Sequence, residues 1–161
     1  MKNLCPIVFL TTIALVGCSS KTTSTTAPSP QMIKYCRDHM LISPDAQITP
    51  LGFFLDPGKD ARDAVVVCFK FASTTIDPGA IFDATKIDAT QFRTKFPPEN
   101  LAFGPNHGWW DVKSQSLTGA SFSFVFPGTE NAQPPVFVTQ RIWYTDDENA
   151  TRTYYIAQER K

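Results

Sequence analysis

Residues 64–72 read Ala-Val-Val-Val-Cys-Phe-Lys-Phe-Ala, β-branched and apolar on both faces, which is the pattern of a strand in the middle of a sheet. Residues 48–55 supply a partner strand. Asp56-Pro57-Gly58-Lys59 supplies the turn between them, because proline presets φ and glycine admits positive φ. Farther along, Phe122, Phe124 and Phe126 alternate with Ser121, Ser123 and Val125, so one face of that strand is a phenylalanine ladder, stopped by Pro127-Gly128. Residues 136–145 and 151–157 flank the polar run Asp146-Asp147-Glu148-Asn149-Ala150 and predict a β-hairpin. Taken with the phenylalanine strand, they form a three-stranded antiparallel meander.

Helical signals are fewer. Residues 31–40 predict one helix. Asp88, with Gln91 three positions later, has the form of a capping box opening a short helix to about Lys95, closed by Pro97-Pro98. The pair Phe82-Asp-Ala-Thr85 and Ile87-Asp-Ala-Thr90 echo one another, but are too short to predict a structural repeat. The expected fold class is α+β, a mostly antiparallel β-sheet with one or two short helices on one face. It is expected as a single domain over residues 31–161 with one disulfide.

The first seventeen residues have a different pattern. One cation, Lys2, precedes an uncharged stretch through Leu4, Ile7, Phe9, Leu10, Ile13 and Val16. About 20 helical residues are needed to cross a bilayer core, and this stretch falls short, so it reads as a targeting segment. It ends in Leu15-Val16-Gly17-Cys18, which resembles the lipobox of bacterial lipoproteins. The resemblance implies a signal peptide over residues 1–17, removed by cleavage before Cys18, and a diacylglyceryl thioether on Cys18, usually with acylation of the freed amine. It therefore implies a protein held on a membrane by lipid, since two or three acyl chains give a stable anchor where one is marginal. The anchored protein would face the periplasm or the exterior, on the cell membrane or the outer membrane. Ser19 rather than aspartate after the cysteine favours the outer membrane in a Gram-negative cell.

Residues 18–30 add only Ser, Thr, Lys, Ala and Pro to that cysteine, and with nothing to bury they are expected to be a disordered tether. Charge adds exclusions. The full chain carries fifteen cationic and fifteen acidic side chains, and removal of Lys2 with the signal leaves a formal charge of −1. That balance gives no footprint for nucleic acid and no polybasic strip for acidic lipid headgroups.

Four cysteines are present. Cys5 leaves with the signal and Cys18 takes lipid, so Cys36 and Cys68 remain. In an oxidising compartment such a pair is most simply read as a disulfide. The competing reading makes Cys68 a buried thiol in its apolar run, unrelated to Cys36.

Chemistry is scarce. Two histidines, His39 and His107, are too few for a metal cluster, and Asp146, Asp147 and Glu148 lack the ligand spacing of a calcium loop. There is no nucleophile elbow and no phosphate-cradling glycine loop. No metal, cofactor or catalytic residue is therefore assigned. One segment gathers unusual residues: Asn106, His107, Trp109, Trp110 and Asp111, in an irregular stretch broken by Gly104, Pro105 and Gly108. His107 oriented by Asp111 could serve as acid or base, or the tryptophans could stack on a sugar or on a partner's apolar side chain. The plainer reading has one tryptophan plugging the core and the other shielding a loop. The expected function is a noncatalytic binding or structural module of the cell envelope, with an envelope protein or glycan as partner. A small envelope hydrolase using His107 and Asp111 is the alternative.

Overall fold

The computed structural model describes residues 21–58, 64–96, 107–112, 117–126, 135–147 and 150–161. Its frame is a seven-stranded sheet in the order β1-β2-β3-β7-β6-β5-β4, with every neighbouring pair antiparallel. The strands are β1 (Thr23–Thr25), β2 (Thr49–Asp56), β3 (Val65–Ser73), β4 (Arg93–Thr94), β5 (Thr118–Phe126), β6 (Val136–Asp146) and β7 (Arg152–Arg160). The two-sided apolar run is β3, and residues 48–55 form its partner β2. β5, β6 and β7 form the expected meander. The fold is thus mostly antiparallel sheet with few short helices, as expected. β7 sits mid-sheet between β3 and β6, and its residues are buried from Arg152 to Gln158.

Strand periodicity divides the interior into two layers. Phe53, Val67, Phe69, Phe71, Ala120, Phe122, Ile142, Tyr154 and Ile156 face one side. Helix α1 (Pro30–His39) covers that side. Ser29 caps it, its Oγ accepting the Met32 amide at 3.3 Å, and Pro30 occupies the first turn, where its missing N–H costs nothing. Cys36 and Met40 are fully buried on the sheet, and Met32 and Tyr35 pack beside them. Opposite, Phe54, Cys68, Leu117, Trp143, Tyr155 and Ala157 form a second layer, against which Phe96, Trp109, Trp110 and Val112 pack.

The end of α1 is held by the sheet. Gln140 and Gln158 are register partners on β6 and β7, and both are completely buried. Gln140 Nε2 donates to Met40 O at 2.9 Å, and Gln158 Nε2 donates to His39 O at 2.7 Å and to Gln140 Oε1 at 2.8 Å. Arg160 Nε donates to Gln158 Oε1 at 2.7 Å. The pair meets helix carbonyls that have no intrahelical donor. The next residue, Leu41, takes φ 57 and is buried, the left-handed turn that commonly ends a helix.

Four sequence expectations change. Cys36 and Cys68 form no disulfide, because Cys36 sits on the face of α1 that packs on the first layer, whereas Cys68 alternates with Val67 and Phe69 and so points through to the opposite layer. Burial pushes both thiols well above their usual range, which keeps them protonated and inert. Reductant is therefore expected to leave the melting temperature unchanged, whereas a disulfide closing that loop would contribute roughly 3–4 kcal/mol. Calorimetry with and without dithiothreitol checks this.

Ordered structure also begins earlier than the expected boundary at residue 31, because Thr23–Thr25 pair with Phe53, Phe54 and Leu55 as β1 and Pro30 already belongs to α1. The helix expected from Asp88 is only a 3₁₀ turn (Ala89–Gln91), followed by β4. Asp88 Oδ1 accepts both the amide (2.9 Å) and the hydroxyl (2.7 Å) of Thr90, closing a local turn that competes with helix propagation.

Finally, the short sequence echo corresponds to a repeated local turn. Asp83 Oδ1 accepts the same two groups of Thr85 at 3.0 and 2.6 Å, and Phe82 and Ile87, which lead the two turns, both drop into the core. A second helix, α2 (Pro78–Ile81), starts at the cap Asp77, so the Asp77-Pro78 pair carried a start signal.

Candidate functional site

Of the segment singled out in the sequence, His107–Val112 lies within the described residues and Asn106 outside them. It crosses the second face of the sheet, opposite the helices, and a turn bond from Trp110 N to His107 O (2.9 Å) shapes it.

Two sheet features receive it. β2 carries an irregularity at Leu51: Pro50 pairs with Phe71 and Gly52 with Lys70, leaving one extra residue on β2. Beside that bulge the Trp109 indole lies on Gly52, so closely that a Cβ there would stand 2.3 Å from Trp109 Cε3. Only glycine admits the ring. Trp109 Nε1 then donates to Ser24 Oγ of β1 at 3.1 Å.

Lys70 and Tyr155 supply the second attachment. They are register partners on β3 and β7, both on the second face. Lys70 Nζ donates to Trp109 O at 3.1 Å and to Asp111 Oδ1 at 2.5 Å, and it stands 5.1 Å from the Tyr155 ring centroid. The Tyr155 hydroxyl donates to the same Asp111 oxygen at 3.0 Å. Trp110 meets the Tyr155 ring edge-on at 5.5 Å and Trp109 at 5.6 Å.

Both tryptophans therefore pack on the sheet, half-buried, rather than dividing between core and loop. Gly52, Ser24, Lys70 and Tyr155 were not identified from the sequence. Lys70 left one trace, as the single charge inside the apolar run of β3.

Burial works against ionisation of Asp111, but the bonds from Lys70 and Tyr155 outweigh it and hold the carboxyl below its usual value. Burial, followed by the Asp111 charge, pushes the Tyr155 phenol up. The sign for stability follows from the depressed carboxyl. Its contribution is full above the ordinary carboxylate pKa of about 4 and is lost as pH falls through the lower folded value. The stability difference between the wild type and Asp111→Asn is thus expected to shrink as pH drops below about 4. Urea titrations of both proteins across the acid range measure it, and a pH-independent difference would contradict the assignment.

His107 is exposed, and its ring packs against Phe54 with centroids 5.4 Å apart. The bonds of Asp111 go to Lys70 and Tyr155, so the two residues proposed from sequence as a catalytic pair are engaged separately. Two cavities among the described residues lie elsewhere. One of about 720 Å³ runs beside α1, past Ile33, Arg37, Leu41, Pro44 and Asp83. The other, of about 260 Å³, lies between the starts of β2 and β7. In the first, Arg37 is committed to the backbone, donating to the carbonyls of Ser43, Pro44 and Ala46 at 2.8–3.1 Å.

Among the described residues no group of three or more His, Cys, Asp or Glu side chains could hold a metal. Of the acidic hairpin tip, Asp146 accepts from Arg152 Nε and Asp147 from the Thr153 hydroxyl, both at 2.7 Å, while Glu148 lies outside the described residues. No family model, curated protein or solved structure matches the chain.

Proposed function

We propose that the chain is a cell-envelope lipoprotein, anchored through lipid on Cys18, whose sheet-rich domain works beside the membrane as a noncatalytic binding or structural module. The observation that carries the noncatalytic reading is the fate of Asp111. Its carboxylate ties the His107–Val112 segment to the sheet through Lys70 and Tyr155, so it is not held against the His107 ring as a general-base pair requires. A hydrolase acting through His107 and Asp111 would need the His107 ring to leave Phe54 and turn to that carboxylate, which weighs against the alternative.

The same attachment makes the segment a rigid platform that presents His107 and Gly108 outward, as a protein or glycan partner on the envelope would need. Among the described residues no helix is long and apolar enough to cross a membrane, and the membrane attachment of this reading is the lipid on Cys18. Outer-membrane placement follows from Ser19 if the cell is Gram-negative. Labelled palmitate is expected to enter the wild-type protein and not Cys18→Ala. Equal labelling of both would refute the anchor.

A further inference from the structure

We propose that the end of the sheet nearest the tether rests on the lipid bilayer itself, with Phe137, Val125 and Val136 as its contact surface; this rests on the reading of Cys18 as the anchor. The register gives the geometry. One row across the sheet runs Thr23, Leu55, Val67, Gln158, Gln140, Phe122. From Thr23 the chain leads back toward Cys18 in the direction in which β7 advances to Arg160 and β6 recedes to Val136. At that end Phe137 pairs with Val125 and exchanges both backbone hydrogen bonds with Lys161, at 2.9 Å each.

Among the charged residues of this end, Asp56, Glu159, Arg160 and Lys161, three large apolar side chains stay exposed. Phe137 is 60% exposed, Val125 51% and Val136 37%, so three of the four large exposed hydrophobics of the described residues lie at that end, Phe137 and Val125 side by side on one face and Val136 on the other. The fourth, Ile76, is at the far end, where its carbonyl accepts from Arg152. Clustered exposed apolar side chains mark an interaction surface where scattered ones do not.

Chain length identifies the occupant. Five Cα-to-Cα steps lead from Cys18 to Thr23 and span at most roughly 17 Å. Phe137 lies three residues beyond the Thr23 row in the same direction, about 10 Å at 3.3 Å per residue. At full extension the headgroups at Cys18 are thus within about 7 Å of Phe137 along the strand axis. Of the cations at this end, Lys161 pairs with Glu159 and Lys86 stands 5.9 Å from the Phe126 ring centroid, and the exposed apolar side chains are what this end offers to lipid.

The test places a photoreactive phenylalanine analogue at Phe137, Val125 or Ile76 of the full chain, one at a time, in cells fed labelled palmitate. Illumination is expected to give lipid adducts several-fold more often from positions 137 and 125 than from 76. Equal lipid adducts at all three positions, or adducts at 137 and 125 to protein instead of lipid, would overturn the proposal; the protein adducts would make the patch an interface. The label on Cys18 is scored in the same samples. Labelled protein without lipid adducts defeats the contact surface and leaves the anchor standing, while unlabelled protein defeats the anchor, and the adducts still decide the surface.

Discussion

Replacing Tyr154 by alanine will destabilise the domain by roughly 3–5 kcal/mol, the range for removing a large buried ring that its surroundings cannot refill. Tyr154 is fully buried on the central strand β7. Its ring stacks on Phe71 at 5.1 Å, meets Phe82 edge-on at 5.7 Å and lies 5.6 Å from Tyr144, so it joins β3, β6 and the turn after α2. Against a total stability of about 5–15 kcal/mol, that loss takes the protein to the margin of folding. Tyr154→Phe keeps the ring and should cost far less. Burial already pushes the phenol up to about 12, so the hydroxyl is neutral throughout the working range and its removal takes away no charge. Urea denaturation of the three proteins gives both differences, and a Phe variant as unstable as the Ala variant would mean that the ring is not the determinant.

Gln158→Leu is the second large effect expected, on the order of 2–4 kcal/mol. The leucine fits by size but leaves His39 O, Gln140 Oε1 and Arg160 Nε without the bonds they make to Gln158. Each orphaned buried group costs about 1–3 kcal/mol, less any relaxation. The control is Gln140→Leu/Gln158→Leu. It removes both ends of the glutamine–glutamine bond, so its cost should fall below the sum of the single variants. Additive losses would show that the glutamines act independently. Hydrogen exchange adds a local readout, since amides in the last turn of α1 should lose protection ahead of those in β3.

Much of the fold could be read from local pattern. The apolar run of β3, the Phe122–Phe124–Phe126 alternation and the polar tip between β6 and β7 each report a periodicity that the backbone obeys. Pairings between distant segments could not be read that way. Nothing in residues 152–160 announces that they lie against β3 rather than at an edge, and without that register the face to which Cys68 points is undetermined. The disulfide expectation failed on that point alone, since two cysteines in one chain say nothing about the sheet between them.

The candidate segment was legible to the same extent. Its composition stood out, but its role depends on Lys70 and Gly52, which are 41 and 57 residues away in sequence from Asp111 and Trp109 respectively. Asp88 shows the converse, where a correct start signal was followed by a turn instead of a helix because Thr90 took the cap.

The position of β7 also sets an order of events. It follows every other strand in the sequence, yet it fills the gap between β3 and β6. Until it arrives, β1, β2 and β3 form one ribbon and β4, β5 and β6 another, each with an unpaired inner edge and a half-built core. A chain that emerges from its N-terminus thus has two halves that cannot yet join. It gains its cooperative core only when residues 152–160 emerge. Such closure by distant segments is slow, which leaves both open edges exposed meanwhile, a delay in which a holding chaperone would be of use.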